Sequence, residues 1–240
     1  MARLLKLSLQ SPQSERIYRR EDALAPRLYD GPSILTRGFP SEVVVRAEED
    51  HGAVLTNLVN NGTIMAVYFR GSANLAIEGF VFTGEDATGD ICTTRVNNMI
   101  HFENASDITF RNNIVYGNNQ YPFCNDLMKI NRSGDPWYPR NIRVLANVFY
   151  NHPSVHGNDL IDSVRPGELE ISDNIFFSDL GVNEAQNFIT LKRQVPEASA
   201  PPDAQSPRYR VCRNIFLSYE GRTDQAFLNF GEDRESCDDD

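Results

Sequence analysis

An all-β solenoid of stacked coils is the fold class this chain predicts, and three observations carry the prediction. The first is a repeated face strand. Segments 66–70, 99–103, 127–131, 160–164, 188–192 and 227–231 superimpose, with the second and fourth positions mostly apolar and the third mostly polar or ionisable. That is the two-residue period of a half-buried strand. The second is a companion strand with a shared signature, seen at 75–82, 108–115, 142–149, 169–176 and 209–216. The third is spacing. The anchors Gly79, Asn113, Asn147, Asn174 and Asn214 lie 34, 34, 27 and 40 residues apart. Strands of constant length between loops of variable length exclude a helical repeat and describe coils that grow by insertion at their corners.

Taken in order, residues 1–35 are expected to cap the first coil, and 36–240 to form the solenoid. The opening Met1-Ala2-Arg3-Leu4-Leu5 has too short an apolar run for a secretory signal. Within the coils, the four anchor asparagines fall at ~4.8 Å rungs, where their amides can hydrogen-bond up the stack at a buried turn. The segment 194–208 carries Pro196, Pro201, Pro202 and Pro207 and reads as an irregular loop. A second loop, 134–140, holds Trp137, the only tryptophan, beside Tyr138. Residues 227–233 open a coil that Glu235 to Asp240 leave without a cap, so further coils or another domain are expected to cover that end.

Composition narrows the partners. The net charge is −10 and the Lys and Arg residues form no dense run, which argues against nucleic acid. No apolar stretch approaches the roughly 20 residues that cross a bilayer.

The strand register sorts the face strands into columns. Val67, Ile100, Met128, Ile161, Ile189 and Leu228 point inward, as do Phe69, Phe102, Ile130, Ser163, Leu191 and Phe230. Tyr68, His101, Lys129, Asp162, Thr190 and Asn229 point outward, with Arg70, Glu103, Asn131, Val164, Lys192 and Gly231 beside them. Asn98, Asp126, Asp159 and Asn187 form a column just before the strands. A mixed charged wall on an exposed parallel sheet fits a polysaccharide groove.

On the repeat and the asparagine ladder, residues 40–233 resemble the right-handed parallel β-helix family that includes pectate lyases and related polysaccharide lyases. The resemblance implies a right-handed parallel β-helix and β-elimination on an acidic, uronate-containing polysaccharide. That reaction needs the sugar carboxylate neutralised and a base for the adjacent C–H proton. Lys129 is then the first candidate base and Lys192 the second, with His101 as an assisting acid or base. Asp126 and Asp159 would bind calcium through oxygen ligands. Arg132, Arg165 and Asp162 would hold substrate, and Trp137 and Tyr138 would stack on a sugar ring. The family's usual compartment, extracellular or periplasmic, also favours disulfides, with Cys92 placed near Cys124 and Cys212 near Cys237.

Each role has a plainer alternative. Asp126 and Asp159 can cap turns by accepting backbone N–H bonds. Lys129 and Asp162 can be a simple cross-strand ion pair, His101 a surface residue, and Trp137 a corner shield. No complete family catalytic motif is present. A non-catalytic glycan-binding or structural β-helix module therefore stands as the second functional class.

Overall fold

The computed structural model describes residues 21–24, 27–30, 33–56, 65–83, 98–117, 126–132, 139–151, 159–164, 166–179, 187–192, 208–218 and 226–231. They form seven coils of three strands. The first three coils are β1–β3 (Glu21–Leu24, Arg27–Asp30, Ser33–Leu35), β4–β6 (Gly38–Ala47, Ala53–Thr56, Met65–Arg70) and β7–β9 (Ala73–Glu78, Phe80–Thr83, Asn98–Glu103). Next come β10–β12 (Ser106–Arg111, Ile114–Tyr116, Asp126–Asn131) and β13–β15 (Arg140–Leu145, Val148–Tyr150, Asp159–Val164). The last two are β16–β18 (Glu168–Ser172, Ile175–Phe177, Asn187–Lys192) and β19–β21 (Arg208–Cys212, Ile215–Leu217, Leu228–Gly231).

First strands stack into one seven-stranded sheet, second strands into another and third strands into a third. Every strand pairing among the described residues is parallel, and together they make a right-handed parallel β-helix. Residues 21–35, expected as a cap, supply the first rung of each sheet.

Packing follows from the two-residue period. Ile100, Phe102, Met128, Ile130 and Ile161 are fully buried between the sheets. Phe149 stacks on Phe176 at 5.3 Å and Phe176 on Phe216 at 5.2 Å, one aromatic per rung. Ser163 interrupts an otherwise apolar inward column, and its buried hydroxyl has no hydrogen-bond partner among the described residues.

The asparagine ladder forms at the corner between the first and second sheets. The Asn113 amide donates to Asn147 Oδ1 at 3.1 Å, Asn147 to Asn174 at 3.0 Å, and Asn174 to Asn214 at 3.0 Å. Each also donates to a carbonyl of the preceding coil, as Asn147 does to Phe110. Gly79 is not its first member, as the anchor spacing implied. Phe80 occupies the ladder position and donates its N–H to Asn113 Oδ1. Gly79 aligns instead with Asn112, Ala146, Asp173 and Arg213, which all have positive φ. A glycine suits that position because the left-handed turn disfavours a Cβ. A Cβ there would also meet Asp50 Oδ1 at 3.0 Å.

Candidate functional site

The third sheet carries the ionisable columns in the expected register. Tyr68, His101, Lys129, Asp162 and Thr190 are consecutive partners, flanked by Arg70, Glu103 and Asn131. One expectation fails: this is not an exposed wall. His101, Glu103, Asp126, Asp159 and Asp162 are each less than a tenth exposed. Lys129 and Lys192 keep about a fifth of their side-chain surface, and Arg70 more than half. The accessible tips are therefore cationic, and the carboxylates lie beneath them.

Asp126 and Asp159 belong to a second ladder, at the start of this sheet. Asp126 donates its N–H to Asn98 Oδ1 at 3.4 Å, and Asp159 donates to Asp126 Oδ1 at 3.1 Å. Asn187 donates both its N–H and its amide to Asp159 Oδ1, at 3.1 and 2.9 Å, and Ala226 donates to Asn187. The turn-capping alternative is thus realised for both aspartates. Asparagine, however, would complete this ladder without charge, as Asn98 and Asn187 do. Two buried carboxyls at its centre cost desolvation that amides would not.

Their surroundings compensate only in part. Asp126, Asp159 and Asp162 offer carboxylate oxygens within 4.8 Å of one another. Lys129 bonds Asp162 Oδ2 and lies 3.5 Å from Asp126 Oδ2, while Lys192 reaches Asp162 Oδ2 at 3.2 Å. Three carboxyls thus face two ammonium groups, so one proton or one further cation balances the cluster. Burial pushes the Asp126 carboxyl up to about 6, with Lys129 pulling it down and Asp162 pushing it further up. Burial, then the charges of Asp162 and Asp126, raise Asp159 well above the usual carboxylate range. Where Asn187 donates its amide to the rung below, Asp159 can donate to Asp126 only when protonated.

Lys129 moves the other way. Burial favours its neutral amine, but Asp126, Asp162 and Asp159 outweigh burial and hold the ammonium above the ordinary lysine range. A general base needs a lowered pKa, so the base role expected of Lys129 is not one its environment supports. His101, on the adjacent rung, is better placed. Burial pushes its imidazole below the ordinary value, against Asn131 and Glu103 and with help from Lys129. Its Nε2 lies 2.7 Å from Asn131 Oδ1, so in the neutral ring Nε2 carries the proton and donates. Nδ1 is then a bare lone pair, buried and without a hydrogen-bond partner among the described residues.

Tyr68, Glu103, Asn131 and Arg70 complete the site, although no role was assigned to them from sequence. Tyr68 packs on the His101 ring at 5.1 Å and donates its hydroxyl to Glu103, which also faces Arg70 at 3.4 Å. Burial first, then Glu103, push the Tyr68 phenol up to about 12. The column register already aligned them with His101 and Lys129; burial was the missing signal. Arg132 is half-buried just past β12. Arg165, Trp137 and Tyr138 lie outside the described residues, as do Cys92, Cys124 and Cys237. Cys212 is a free, half-buried thiol.

The three aspartates are close enough to hold a metal ion. Lys129 and Lys192 already occupy their approachable side, and Asp126 Oδ1 and Asp159 Oδ1 are already accepting N–H bonds. A hard ion seeking six to eight oxygens would have to displace the ammonium groups. The donor set fits a proton shared between carboxyls better than calcium.

No family model and no curated protein matches the chain. A solved structure similar to it is that of a putative glycosyl hydrolase from Parabacteroides merdae, at 13% identity and a TM-score of 0.41, over 87% of this chain and 80% of that chain. A likeness this distant bears on neither chemistry nor substrate, and it does not establish membership of the pectate-lyase-like family.

Proposed function

We propose that this protein is a carbohydrate-active enzyme that cleaves an acidic, uronate-containing polysaccharide by β-elimination at the third sheet. The observation that carries this reading is the juxtaposition, on adjacent rungs, of a histidine and a buried carboxyl pair whose surroundings shift them in opposite directions. His101, with a buried Nδ1 that has no partner among the described residues, lies beside Asp126 and Asp159, with Lys129 between them. A lowered imidazole and a raised carboxyl, each shifted by burial toward the protonation state its role requires, are the natural base and acid of one reaction.

In this mechanism Lys129 and Lys192, with Arg132 and Arg70 at the rim, receive the sugar carboxylate and acidify the neighbouring C–H. His101 Nδ1, buried beside the Tyr68 ring until substrate displaces its cover, takes the C5 proton. The C4–O bond breaks as the C4=C5 bond forms, and the Asp126–Asp159 pair protonates the departing oxygen. Positive charge that calcium would otherwise supply comes from the lysines, so chelators are expected to leave activity intact. A substrate of this class implies an extracellular or periplasmic protein.

The test is the ultraviolet absorbance of unsaturated uronate products on pectate, alginate and chondroitin, with and without chelator. Wild-type protein should generate product, and His101→Ala and Lys129→Met should each lose at least about 100-fold. New reducing ends without absorbance would indicate hydrolysis by the carboxyl pair instead. No cleavage of any polymer would leave the glycan-binding module.

A further inference from the structure

The two terminal coils share a feature that the inner coils lack. The exposed large apolar residues among the described ones are Leu28 and Ile34 on the first coil, and Ile215, Leu217, Phe227 and Phe230 on the last. All lie on coils that have a neighbour on one side only among the described residues. Among the described strands, each end also presents three parallel edges, β1, β2 and β3 at one and β19, β20 and β21 at the other. Such edges template further strands.

We infer that copies of this chain stack head to tail, the first coil of one molecule seated on the last coil of the next. Register supports this occupant. In the second sheet, Ile215 heads a column that runs through Ile175, Val148, Ile114, Val81 and Val54 to Leu28. In-register stacking therefore sets half-exposed Ile215 against half-exposed Leu28. In the third sheet, the column of Phe230 ends at Leu35. Leu35 borders an apolar recess of about 70 Å³ that Val67, Phe69, Leu55 and Phe82 also line. Apolar knobs on one end and an apolar recess at the other make a heterologous contact that does not close on itself.

Charge favours the same arrangement. In the first sheet the last rung carries Arg208 and Arg210, and head-to-tail contact keeps these cations away from their own copies. Tail-to-tail contact would instead set Arg208, Arg210 and Arg213, all well exposed, against their own copies.

A directional crosslink tests it. Cys212 shares a column with Ala23 through Ser172, Leu145, Arg111, Glu78 and Arg46. Adjacent parallel rungs at ~4.8 Å lie within the Cα range of a disulfide. Sedimentation of the full chain should show mass rising with concentration, and oxidised Ala23→Cys should yield a 23–212 bridge between molecules that Cys212→Ser abolishes. Ile215→Lys should shift assembly to at least about tenfold higher concentration with unchanged circular dichroism. Single-chain mass at every concentration, assembly indifferent to Ile215→Lys, or a Cys212–Cys212 bridge in its place would each overturn the inference.

Discussion

Under the proposed mechanism, Asp159 sets chemistry against stability at the level of one residue. Its position in the second ladder is one that Asn187 fills with an amide on the next rung. Asp159→Asn supplies the missing donor and removes a buried acid, so it should raise stability at pH 7 by about 1–3 kcal/mol while eliminating cleavage. Urea unfolding and the product assay measure the two halves. The pH dependence has a definite sign. Asp126 rises from 3.8 to about 6 on folding, and Asp159 moves in the same direction. A raised carboxyl favours the folded state while protonated, so stability should fall as pH increases from about 4 through about 6. Unfolding midpoints at pH 4.5 and pH 7 compare the two states, and Asp159→Asn should flatten the difference. Little of this was legible in sequence. The spacing placed Asp126 and Asp159 one rung apart, yet turn-capping and ion binding read identically from residue type. Only desolvation distinguishes an ordinary cap from a proton-holding pair, and desolvation depends on what packs around the strand.

Strands and corners were far more legible, because their determinants are local and repeat. The alternation in 99–103 and 127–131 gives the inward column that the structure confirms, and every outward partner from Tyr68 to Thr190 falls where the period places it. The exception at this scale was Gly79, placed one position early, since a glycine needed for positive φ resembles a substituted ladder asparagine. Two measurements probe the elements. Asn147→Ala deletes its donations to Phe110 and Asn174 and strands the Asn113 N–H, at a cost of about 2–4 kcal/mol. Ser163→Ala removes a buried hydroxyl with no partner from an apolar column and should stabilise by about 1 kcal/mol. Denaturant titration reads both changes.

Across the whole molecule, a net charge of −10 coexists with a rim of Arg70, Lys129 and Lys192 over the site. An anionic chain would be repelled elsewhere and attracted there. Its affinity should therefore drop steeply between low and physiological salt, and Arg70→Gln should flatten that slope. Titrating a uronate oligomer at several ionic strengths would show it. The sequence exposed the total charge but not its sorting into buried acids and accessible bases.

The two ladders run in opposite senses. In the asparagine ladder each coil donates to the coil after it, and in the aspartate ladder each donates to the coil before it. Neither ladder adds up to a macrodipole, because sheets carry only small net dipoles, and the molecule lacks the end-to-end polarity that a helix of comparable length would carry. The field met by an approaching polyanion is then written almost wholly by side chains. Relocating a few surface charges would be enough to change which way a bound polymer points, without altering a single coil.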